Sequence, residues 1–499
     1  MGRRRWPKVG GPFIVCALLV VFPEPRAAGG AGPRMPPPER LAEPCTLELF
    51  RLAPGETLAG DESLAVAVRV GPCGRMIAAT VQTGNHFRVY RNGEPDPLRC
   101  SSVMHFGFSP TGHSLAYFGL VDGQLCLIRN GSIVGDRPYL RDPDWEFFRL
   151  AWNPKDESLA TVTWDRGRKG LIRKEGIPVG CDYDETFEPT FSPDGESFAF
   201  IARSGDKWLV VRGGVRVGDL YDGARSLTFT PDSCSVMFVA RVGETSFVVK
   251  DGSRVSRRYK GSAEMILSPS GRSYALTIAE EGGKQYVVKN ERRIGPGFDL
   301  LLPPRFPPEG DALAFHGRLP DGRFIVVKDG KTMGETYQDV HPFGPVLSRD
   351  GRSIAFRARV KEGDVEKEVV IKDGVPLHEE THPAHAVVTP LGGAAPCLSG
   401  DGTSIAYDVR GQAGRRRVIR DGQRVGEEYD WVNHLAISPD GRTLLFMAGR
   451  GAKSFYVSNG ERVCQEYTYV TPPVTSHDAK KVIFAGVLDN AVYRNEIPW

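Results

Sequence analysis

The sequence predicts an all-β protein made of about eleven repeats, each with four short strands. Two turn phrases that alternate along the chain, and the regular distance between their copies, support this prediction. The first phrase is an apolar pair, then Ser-Pro-Asp-Gly, three further residues and a pair such as Ala-Phe. Eleven copies end 38 to 51 residues apart. A repeat of about 40 residues with four strands is typical of the blades of a β-propeller.

Each copy of the first phrase predicts a tight turn between two strands. Proline presets φ at the second turn position, aspartate caps the turn, and glycine takes the position that needs φ > 0 or no side chain. The clear copies lie at 191–195 and 437–441. Partial copies lie at 108–112, 267–271, 347–351 and 398–402. Copies that match the phrase less well end at Gly74, Asp156, Ser233, Gly310 and Ala479.

The second phrase follows 17 to 23 residues later and predicts a hairpin. It has two apolar residues, a basic or polar residue, and then Asp-Gly or Asn-Gly, which is the strongest short hairpin signal. A third phrase, Gly-x-x-Tyr, follows the second and predicts the last strand of the unit. Copies of the second phrase lie at 128–131, 248–252, 326–330, 418–422 and 456–460, and copies of the third begin at Gly180, Gly218, Gly334 and Gly426.

The Ser-Pro-Asp-Gly-x-x-x-Ala-Phe phrase resembles the propeller repeat of the TolB-like family, a relative of the WD40-like families. The resemblance covers about residues 46–499. It implies a propeller fold in which the strand before each copy is innermost, and it is not specific for function. The chain does not repeat the Trp-Asp and Gly-His pairs of WD repeats from unit to unit, and it shows no second domain of the TolB kind.

The two ends of the repeat region predict how the last blade closes. The last unit has strands predicted near 470–476, 481–487 and 490–495, but no fourth strand. Residues 46–52, which precede the first repeat, supply a spare strand of the outer type. We therefore expect the N-terminal strand to complete the last blade, so that no open sheet edge remains.

Eleven blades exceed the common range of four to eight, so the number of rings is a separate question. Two spacings, 44 and 51 residues, are longer than the others and favour two nested rings. Residues 145–385 would then form a six-bladed ring, inserted into a five-bladed ring of 46–144 and 386–499. One large ring is the alternative.

The N-terminus is predicted to be a signal peptide, residues 1–28, followed by a Pro/Gly-rich linker at 29–45. Arg3, Arg4, Arg5 and Lys8 precede an apolar stretch at 12–22, which is the length of a secretory core. A twin-arginine signal and a lipoprotein signal are the alternatives. Removal of 1–28 takes away five cations and one anion, so the formal net charge falls from +3 to −1.

Composition excludes several classes of protein. Hydrophobic residues make up 40% and charged residues 25%, so a folded core is expected. No apolar run reaches 18 residues, and we expect no transmembrane segment after the signal peptide. The chain has no long basic block, so nucleic acid is not an expected partner.

Two apparent catalytic motifs have structural explanations. Gly-x-Ser-x-Ala resembles the nucleophile elbow of α/β-hydrolases, but its five copies share one repeat position, at Ser114, Ser197, Ser273, Ser353 and Ser404. Residues 378–382 match the zinc motif H-E-x-x-H, which requires a helix, whereas the repeat places this segment in a strand. A loose surface site of His378, His382 and His385 is the alternative to a solvated loop.

The remaining motifs are ambiguous. Eight cysteines follow the signal peptide without a C-x-x-C pair, which leaves disulfides and buried thiols equally open. Asn130 heads a glycosylation sequon but is interpreted as a turn residue. The Asp-Gly phrases also carry a recurring basic residue. We interpret these residues as solvated residues at strand ends rather than as a ring that binds a ligand. They are Arg129, Arg212, Lys250, Lys289, Lys328, Lys372 and Arg420.

These observations predict an exported, non-catalytic propeller, in the periplasm or outside a bacterial cell, that binds a protein or a glycan. The sequence assigns no catalytic, cofactor-binding or metal-binding residue. The alternative is a propeller enzyme, of the glycosidase or lyase type, with a polar site in the central channel. Its candidate residues depart from the repeat consensus and are Asp142, Asp144, Glu146, Glu188 and His341.

Overall fold

The computed structural model describes residues 45–59, 68–135, 149–164, 170–179, 183–363, 365–382, 393–411 and 414–499. The segment predicted to be a signal peptide lies outside these residues, as does the predicted linker up to residue 44. The described chain is almost entirely β-structure and includes a short 3-10 turn at Pro72–Gly74. Its strands form eleven antiparallel sheets, which we call blades 1 to 11 in chain order.

Blade 1 contains β2 (Glu56–Leu58), β3 (Val68–Val70), β4 (Ile77–Thr83), β5 (His86–Arg91) and β6 (Glu94–Pro95), and β1 (Cys45–Arg51) precedes it. Blade 2 contains β7 (Val103–Phe108), β8 (Leu115–Val121), β9 (Gln124–Arg129) and β10 (Ser132–Ile133). Blade 3 contains β11 (Arg149–Trp152), β12 (Leu159–Trp164), β13 (Gly170–Lys174) and β14 (Ile177–Val179). Blade 4 contains β15 (Glu185–Phe191), β16 (Phe198–Ser204), β17 (Lys207–Arg212) and β18 (Val215–Tyr221).

Blade 5 contains β19 (Gly223–Phe229), β20 (Val236–Val242), β21 (Thr245–Lys250), β22 (Ser253–Arg254) and β23 (Tyr259–Lys260). Blade 6 contains β24 (Ser262–Leu267), β25 (Tyr274–Ala279), β26 (Gln285–Lys289) and β27 (Arg292–Phe298). Blade 7 contains β28 (Leu300–Leu301), β29 (Ala314–Arg318), β30 (Phe324–Lys328) and β31 (Lys331–Thr332). Blade 8 contains β32 (Asp339–Val340), β33 (Val346–Leu347), β34 (Ile354–Glu362), β35 (Val365–Lys372) and β36 (Val375–His382).

Blade 9 contains β37 (Cys397–Leu398), β38 (Ile405–Arg410), β39 (Arg416–Arg420) and β40 (Gln423–Tyr429). Blade 10 contains β41 (Trp431–Ile437), β42 (Leu444–Arg450), β43 (Lys453–Ser458) and β44 (Glu461–Arg462). Blade 11 contains β45 (Tyr469–Val470), β46 (Val474–Thr475), β47 (Lys481–Leu488) and β48 (Ala491–Pro498). In blades 1, 8 and 11 the first strand is in two pieces, and in blade 5 the fourth strand is in two pieces.

The eleven blades form one ring, and a separate hydrophobic cluster fills each interface between neighbours. At the interface of blades 2 and 3, Phe118 packs in the same cluster as Leu159. At the interface of blades 8 and 9, Val370 packs with Tyr407. These two interfaces are where a six-plus-five arrangement would separate the blades. The two rings that the sequence favours are therefore corrected to the single large ring, because the long spacings do not interrupt the packing of successive blades.

The N-terminal strand completes the last blade, as the sequence predicts. β1 is antiparallel to β48, and blade 11 has the order β1-β48-β47-β45. Phe50 also stacks on Tyr90 of blade 1, with ring centroids 4.6 Å apart. The two ends of the chain thus close the ring at the same blade.

Removing β1 is expected to open this closure. A chain that starts at Ala53 lacks β1, so one edge of β48 is exposed. The protection of the β48 amides against hydrogen exchange should then fall about 100-fold. At about 1.4 kcal/mol per tenfold, this corresponds to about 2.8 kcal/mol. A chain that starts at Glu43 keeps β1 and is the control. Equal protection in the two chains, measured by hydrogen exchange and mass spectrometry, would contradict the role assigned to β1.

The two turn phrases adopt the conformations that their residues predict. In the first phrase, the Asp350 carboxylate accepts hydrogen bonds from Ser348 Oγ at 2.7 Å and Arg352 N at 2.9 Å. These bonds lower the pKa of Asp350. In the second phrase, Asp373 has φ +52°, and its Oδ1 accepts a hydrogen bond from Ile354 N at 2.8 Å. Side chains of the turn residues therefore complete the backbone hydrogen bonding at one end of each blade.

Because the strands of a blade are antiparallel, its turns fall on two opposite faces of the ring. The turn face carries the connections between first and second strands and between third and fourth strands, which are the two repeated phrases. The hairpin face carries the connections between second and third strands and the links from one blade to the next. Sequence repetition is strong on the turn face and weak on the hairpin face.

Candidate functional site

Glu188, a candidate for the enzyme hypothesis, links two neighbouring blades. It lies at a bulge in the first strand of blade 4 and has φ +50°. Its Oε2 accepts a hydrogen bond from Leu227 N in blade 5 at 2.9 Å. Ser226, at the equivalent bulge of blade 5, accepts one from Met265 N in blade 6 at 3.1 Å. A residue at this bulge therefore bonds to the next blade, which gives Glu188 a structural role.

His341, the other candidate that the structure describes, is buried in blade 8. Its pKa is lowered to about 4, first by burial and then by the nearby Arg357. His316 in blade 7 is also buried, and burial, Arg305 and His341 lower its pKa to about 4. The structure places Glu188 and His341 in different blades. The other three candidates, Asp142, Asp144 and Glu146, lie outside the described residues.

An unexpected group of polar residues occupies one core position in three successive blades. Directly after the aligned pairs Ala-Phe or Ala-Tyr of the second strand, the chain has His316 in blade 7, Arg357 in blade 8 and Asp408 in blade 9. We call these three residues the polar row. The other eight blades have, in order, Thr80, Phe118, Val162, Ile201, Val239, Thr277, Met447 and Ala485 at this position.

Arg357 joins blade 8 to blade 9 through ionic hydrogen bonds. Its Nη1 donates to Glu368 Oε1 at 2.8 Å, and its Nη2 donates to Asp408 Oδ1 at 2.8 Å. Arg416 lies 3.4 Å from the other oxygen of Asp408. Burial raises the pKa of Asp408, while Arg357 and Arg416 oppose that rise. The cluster is an inter-blade ionic network in which two cations face two carboxylates.

The short first strand of blade 9 explains why this network can form. β37 pairs only with residues 405 and 406, which leaves the inner edge of Asp408 without a strand. Ala394 fills part of that edge, because its N donates to Asp408 Oδ1 at 2.9 Å and its O accepts from Arg357 Nη2 at 3.3 Å. The side chains of Arg357 and Asp408 are 1% and 0% exposed. A substrate in the channel cannot reach these groups without opening the interface.

No local sequence motif contains the polar row, because its three residues are spread over about 90 positions of the chain. The signal that reveals it is the repeat itself, since aligning the second strands places His316, Arg357 and Asp408 in one column. That column is apolar in most blades, so three successive polar residues stand out.

Six of the seven basic residues of the Asp-Gly phrases contact the next blade, whereas Lys250 is exposed to solvent. Lys372 Nζ donates to Thr403 O in blade 9 at 2.9 Å, and Arg420 Nη1 donates to Arg442 O in blade 10 at 2.9 Å. Main-chain carbonyls of the next blade also accept hydrogen bonds from Arg129, Arg212, Lys289 and Lys328. Their recurrence once per blade therefore reflects a repeated inter-blade contact on the turn face.

The serine and histidine motifs are structural where the structure describes them. Ser404 Oγ donates to Asp421 Oδ2 at 2.6 Å, and Ser197 Oγ accepts from Arg212 Nη2 at 3.2 Å, both within the turn face. The H-E-x-x-H segment lies in β36, so it is a strand rather than a helix. His385 lies outside the described residues.

Asn130 and the cysteines are also described in part. Asn130 has φ +49°, and its Oδ1 accepts a hydrogen bond from Leu115 N at 2.9 Å, as expected of a turn residue. Seven cysteines fall in the described part of the chain, and none of them is in a disulfide. Cys16 and Cys181 lie outside it.

Open grooves lie between blades on the hairpin face. The groove between blades 6 and 7 has a volume of about 610 Å³. Its walls are formed by Glu280, Lys284, Arg293, Pro296, Gly297, Leu319, Pro320 and Asp321. A second groove of about 360 Å³ lies between blades 5 and 6, next to Lys260 and Glu280. Both grooves combine glycine with charged side chains of either sign, and the first also includes proline.

Comparison with known proteins finds similarity in fold. No family model matches the chain, and no curated protein matches it. Similar solved structures include the Dos1 propeller, at 12% identity and a TM-score of 0.34, over 64% of this chain and 92% of that one. An oligogalacturonate lyase in complex with manganese has 12% identity and a TM-score of 0.25, over 70% and 96%. The putative TolB from Agrobacterium tumefaciens has 18% identity and a TM-score of 0.23, over 39% and 79%.

The described residues were also compared with the requirements of a membrane-spanning helix. Among them, no helix has the length and apolar character needed to cross a bilayer.

Proposed function

We propose that this chain is an exported, non-catalytic β-propeller that binds a protein partner across its hairpin face. Export, to the periplasm or the cell exterior, is inferred from the basic and apolar N-terminal segment of the sequence. The partner is inferred to present an extended polypeptide segment, because the two grooves on this face are open and lie next to each other, between blades 5 and 6 and between blades 6 and 7.

The observation that supports this proposal is the groove between blades 6 and 7. The second-to-third hairpins that form it are longer than in most blades, with Glu280 to Lys284 and Leu319 to Arg323 at their tips. Surface loops on a rigid scaffold are the usual place for recognition residues. Leu319 supplies an apolar contact, and Lys284, Arg293 and Asp321 supply polar contacts, as in typical protein interfaces.

The enzyme hypothesis has the polar row as its best support. Catalytic groups need contact with a substrate, and their protonation must be set for the reaction. Arg357 and Asp408 are instead enclosed and bonded to each other. His316 and His341 are buried in the neighbouring interface. These observations favour a structural role for the row, and a binding role for the face that remains accessible.

The proposal can be tested by selection of peptides from a phage-displayed random library on the mature chain. We expect the library to yield peptides whose binding is lost in the Lys284→Glu variant. The matched control is Lys453→Glu, which reverses the same charge at the hairpin of blade 10. Failure to enrich any peptide, or equal loss in the two variants, would contradict a binding site at this groove.

A glycan is the alternative partner that the sequence leaves open. A glycan array probed with the same two variants separates the cases. Groove-dependent glycan binding together with failure of the peptide selection would replace the protein partner by a glycan.

A further inference from the structure

We propose that the partner contributes an acidic segment, which lies along the outer strands of blades 5 and 6 and ends in the adjoining grooves. This inference rests on the proposed binding function and adds the chemistry of the ligand. It depends on six cations that we call the basic rim, namely Arg254, Arg257, Arg258, Lys260, Arg292 and Arg293.

The basic rim is a departure from the repeat. The fourth strands of blades 5 and 6, from 253 to 260 and from 292 to 298, hold these six cations and no carboxylate. Several other fourth strands carry carboxylates. β18 in blade 4 has Arg216 and Asp219, and β40 in blade 9 has Arg424 followed by Glu427 and Glu428. The fourth strands of blades 5 and 6 therefore lack the acidic residues that several other fourth strands carry.

The cations of the rim are available for an external partner. The nearest carboxylate to Arg257 is Glu291, at 3.7 Å from its Nε, and the Arg257 side chain is 77% exposed. Lys260 lies 3.5 Å from Glu244, and both are largely exposed. Such surface pairs contribute little and are easily exchanged for another carboxylate. Among the residues that the structure describes, Arg254, Arg258, Arg292 and Arg293 have no ion pair.

Aromatic rings hold two of the guanidinium groups in place. Arg258 lies over the ring of Phe247 at 4.7 Å, and Arg293 lies over the ring of Tyr286 at 4.4 Å. Ordering a long side chain before a ligand arrives lowers the entropy that is lost on binding. The planar guanidinium group of each stacked arginine also carries several donors, which suits a carboxylate.

The rim continues into the grooves of the hairpin face. Arg293 forms part of the wall between blades 6 and 7, and Lys260 forms part of the wall between blades 5 and 6. A ligand that follows the cations must therefore run along the side of the ring and turn onto its face. A flexible polypeptide can follow this path, whereas a flat bilayer surface meets only one side of it.

Two exposed apolar side chains favour a polypeptide with acidic side chains over a nucleic acid or a sulfated glycan. Val255 is 44% exposed within the rim, and Leu220 is 48% exposed on the neighbouring fourth strand. These apolar side chains suit a ligand that alternates carboxylates with apolar residues.

The test uses the mature full-length chain and fluorescent peptide probes, read by anisotropy. An oligoglutamate peptide should bind at least about tenfold more tightly than a Gly-Ser peptide of the same length, and its affinity should fall as salt is added. The triple variant Arg254→Glu/Arg257→Glu/Arg258→Glu should lose about tenfold or more in affinity. Its matched control reverses three exposed cations on other outer strands, Lys331→Glu/Arg424→Glu/Arg462→Glu, and should retain the affinity.

Several outcomes would overturn the acidic-segment inference. If the two triple variants bind oligoglutamate with equal affinity, the basic rim does not take part in binding. This conclusion requires that both variants unfold at the same temperature as the wild type. Retention by anionic phospholipid vesicles or by heparin, without binding of oligoglutamate, would assign the rim to another class of partner. The random library could also yield groove-dependent peptides that have no excess of Asp and Glu. That result would refute the inference that the segment is acidic, but it would still support the proposed binding function.

Discussion

Replacement of Asp408 by alanine is expected to lower the free energy of unfolding by about 3–5 kcal/mol. The change removes the carboxylate that faces Arg357 and Arg416 in a buried interface and leaves both cations without that partner. Removing one member of a buried ion pair costs far more than the pair contributes, because a desolvated charge remains. Urea-induced unfolding, followed by tryptophan fluorescence, measures the loss.

A combined replacement distinguishes this mechanism from simple loss of packing. The variant Arg357→Met/Glu368→Met/Asp408→Met/Arg416→Met replaces the whole network by apolar side chains, as methionine already occupies the equivalent position 447. We expect it to be more stable than Asp408→Ala, because no charge is left buried alone. A loss below about 1 kcal/mol for Asp408→Ala would contradict the ionic network as a stabilising link between blades 8 and 9.

Much of the fold could be predicted because turn chemistry is local. The Asp350 and Gly351 pair determines one tight turn by its own hydrogen bonds and φ, whatever the rest of the chain does. Repetition of that turn at a nearly constant spacing then fixes the number of blades. Closure by β1 followed from counting strands in the last unit, which is also a local property.

The number of rings could not be obtained in this way. The spacings of 44 and 51 residues report the length of a connection but not the surfaces that pack after it. Whether blade 9 follows blade 8 in space depends on contacts such as Val370 with Tyr407, and these join strands far apart in the sequence. The single ring is therefore a consequence of interface complementarity, which spacing does not encode.

The candidate residues show the same limit. Glu188 departs from the repeat consensus and was a candidate for that reason, yet its carboxylate makes an inter-blade hydrogen bond that Ser226 also makes. His341 could be identified from the sequence as unusual, but its burial and its neighbour Arg357 could not. Departure from a repeat consensus identifies residues that are chemically unusual for their position. Whether a ligand can reach these residues depends on how the blades pack around them.

The two buried histidines are expected to make the fold sensitive to acid between about pH 6.5 and pH 4. His316 and His341 have pKa values lowered to about 4 in the folded chain, against an ordinary value of 6.5. As the pH falls through this range, the unfolded chain binds protons at both residues before the folded chain does. Stability is therefore fully present above pH 6.5 and is lost progressively toward pH 4. At 1.36 kcal/mol per pKa unit, the loss is about 3 kcal/mol for each histidine.

Urea unfolding across this pH range measures the effect, and two substitutions isolate its source. His316→Met and His341→Thr introduce residues found at the equivalent positions of blades 10 and 11, 447 and 471. The double variant should lose most of the dependence between pH 6.5 and pH 4. Titration of the turn aspartates, such as Asp401 with a pKa near 2, occurs at lower pH and is common to both proteins. Asp408, whose raised pKa acts in the opposite direction, is also common to both. An unchanged pH profile in the double variant would show that the two imidazoles are not held neutral by the interface.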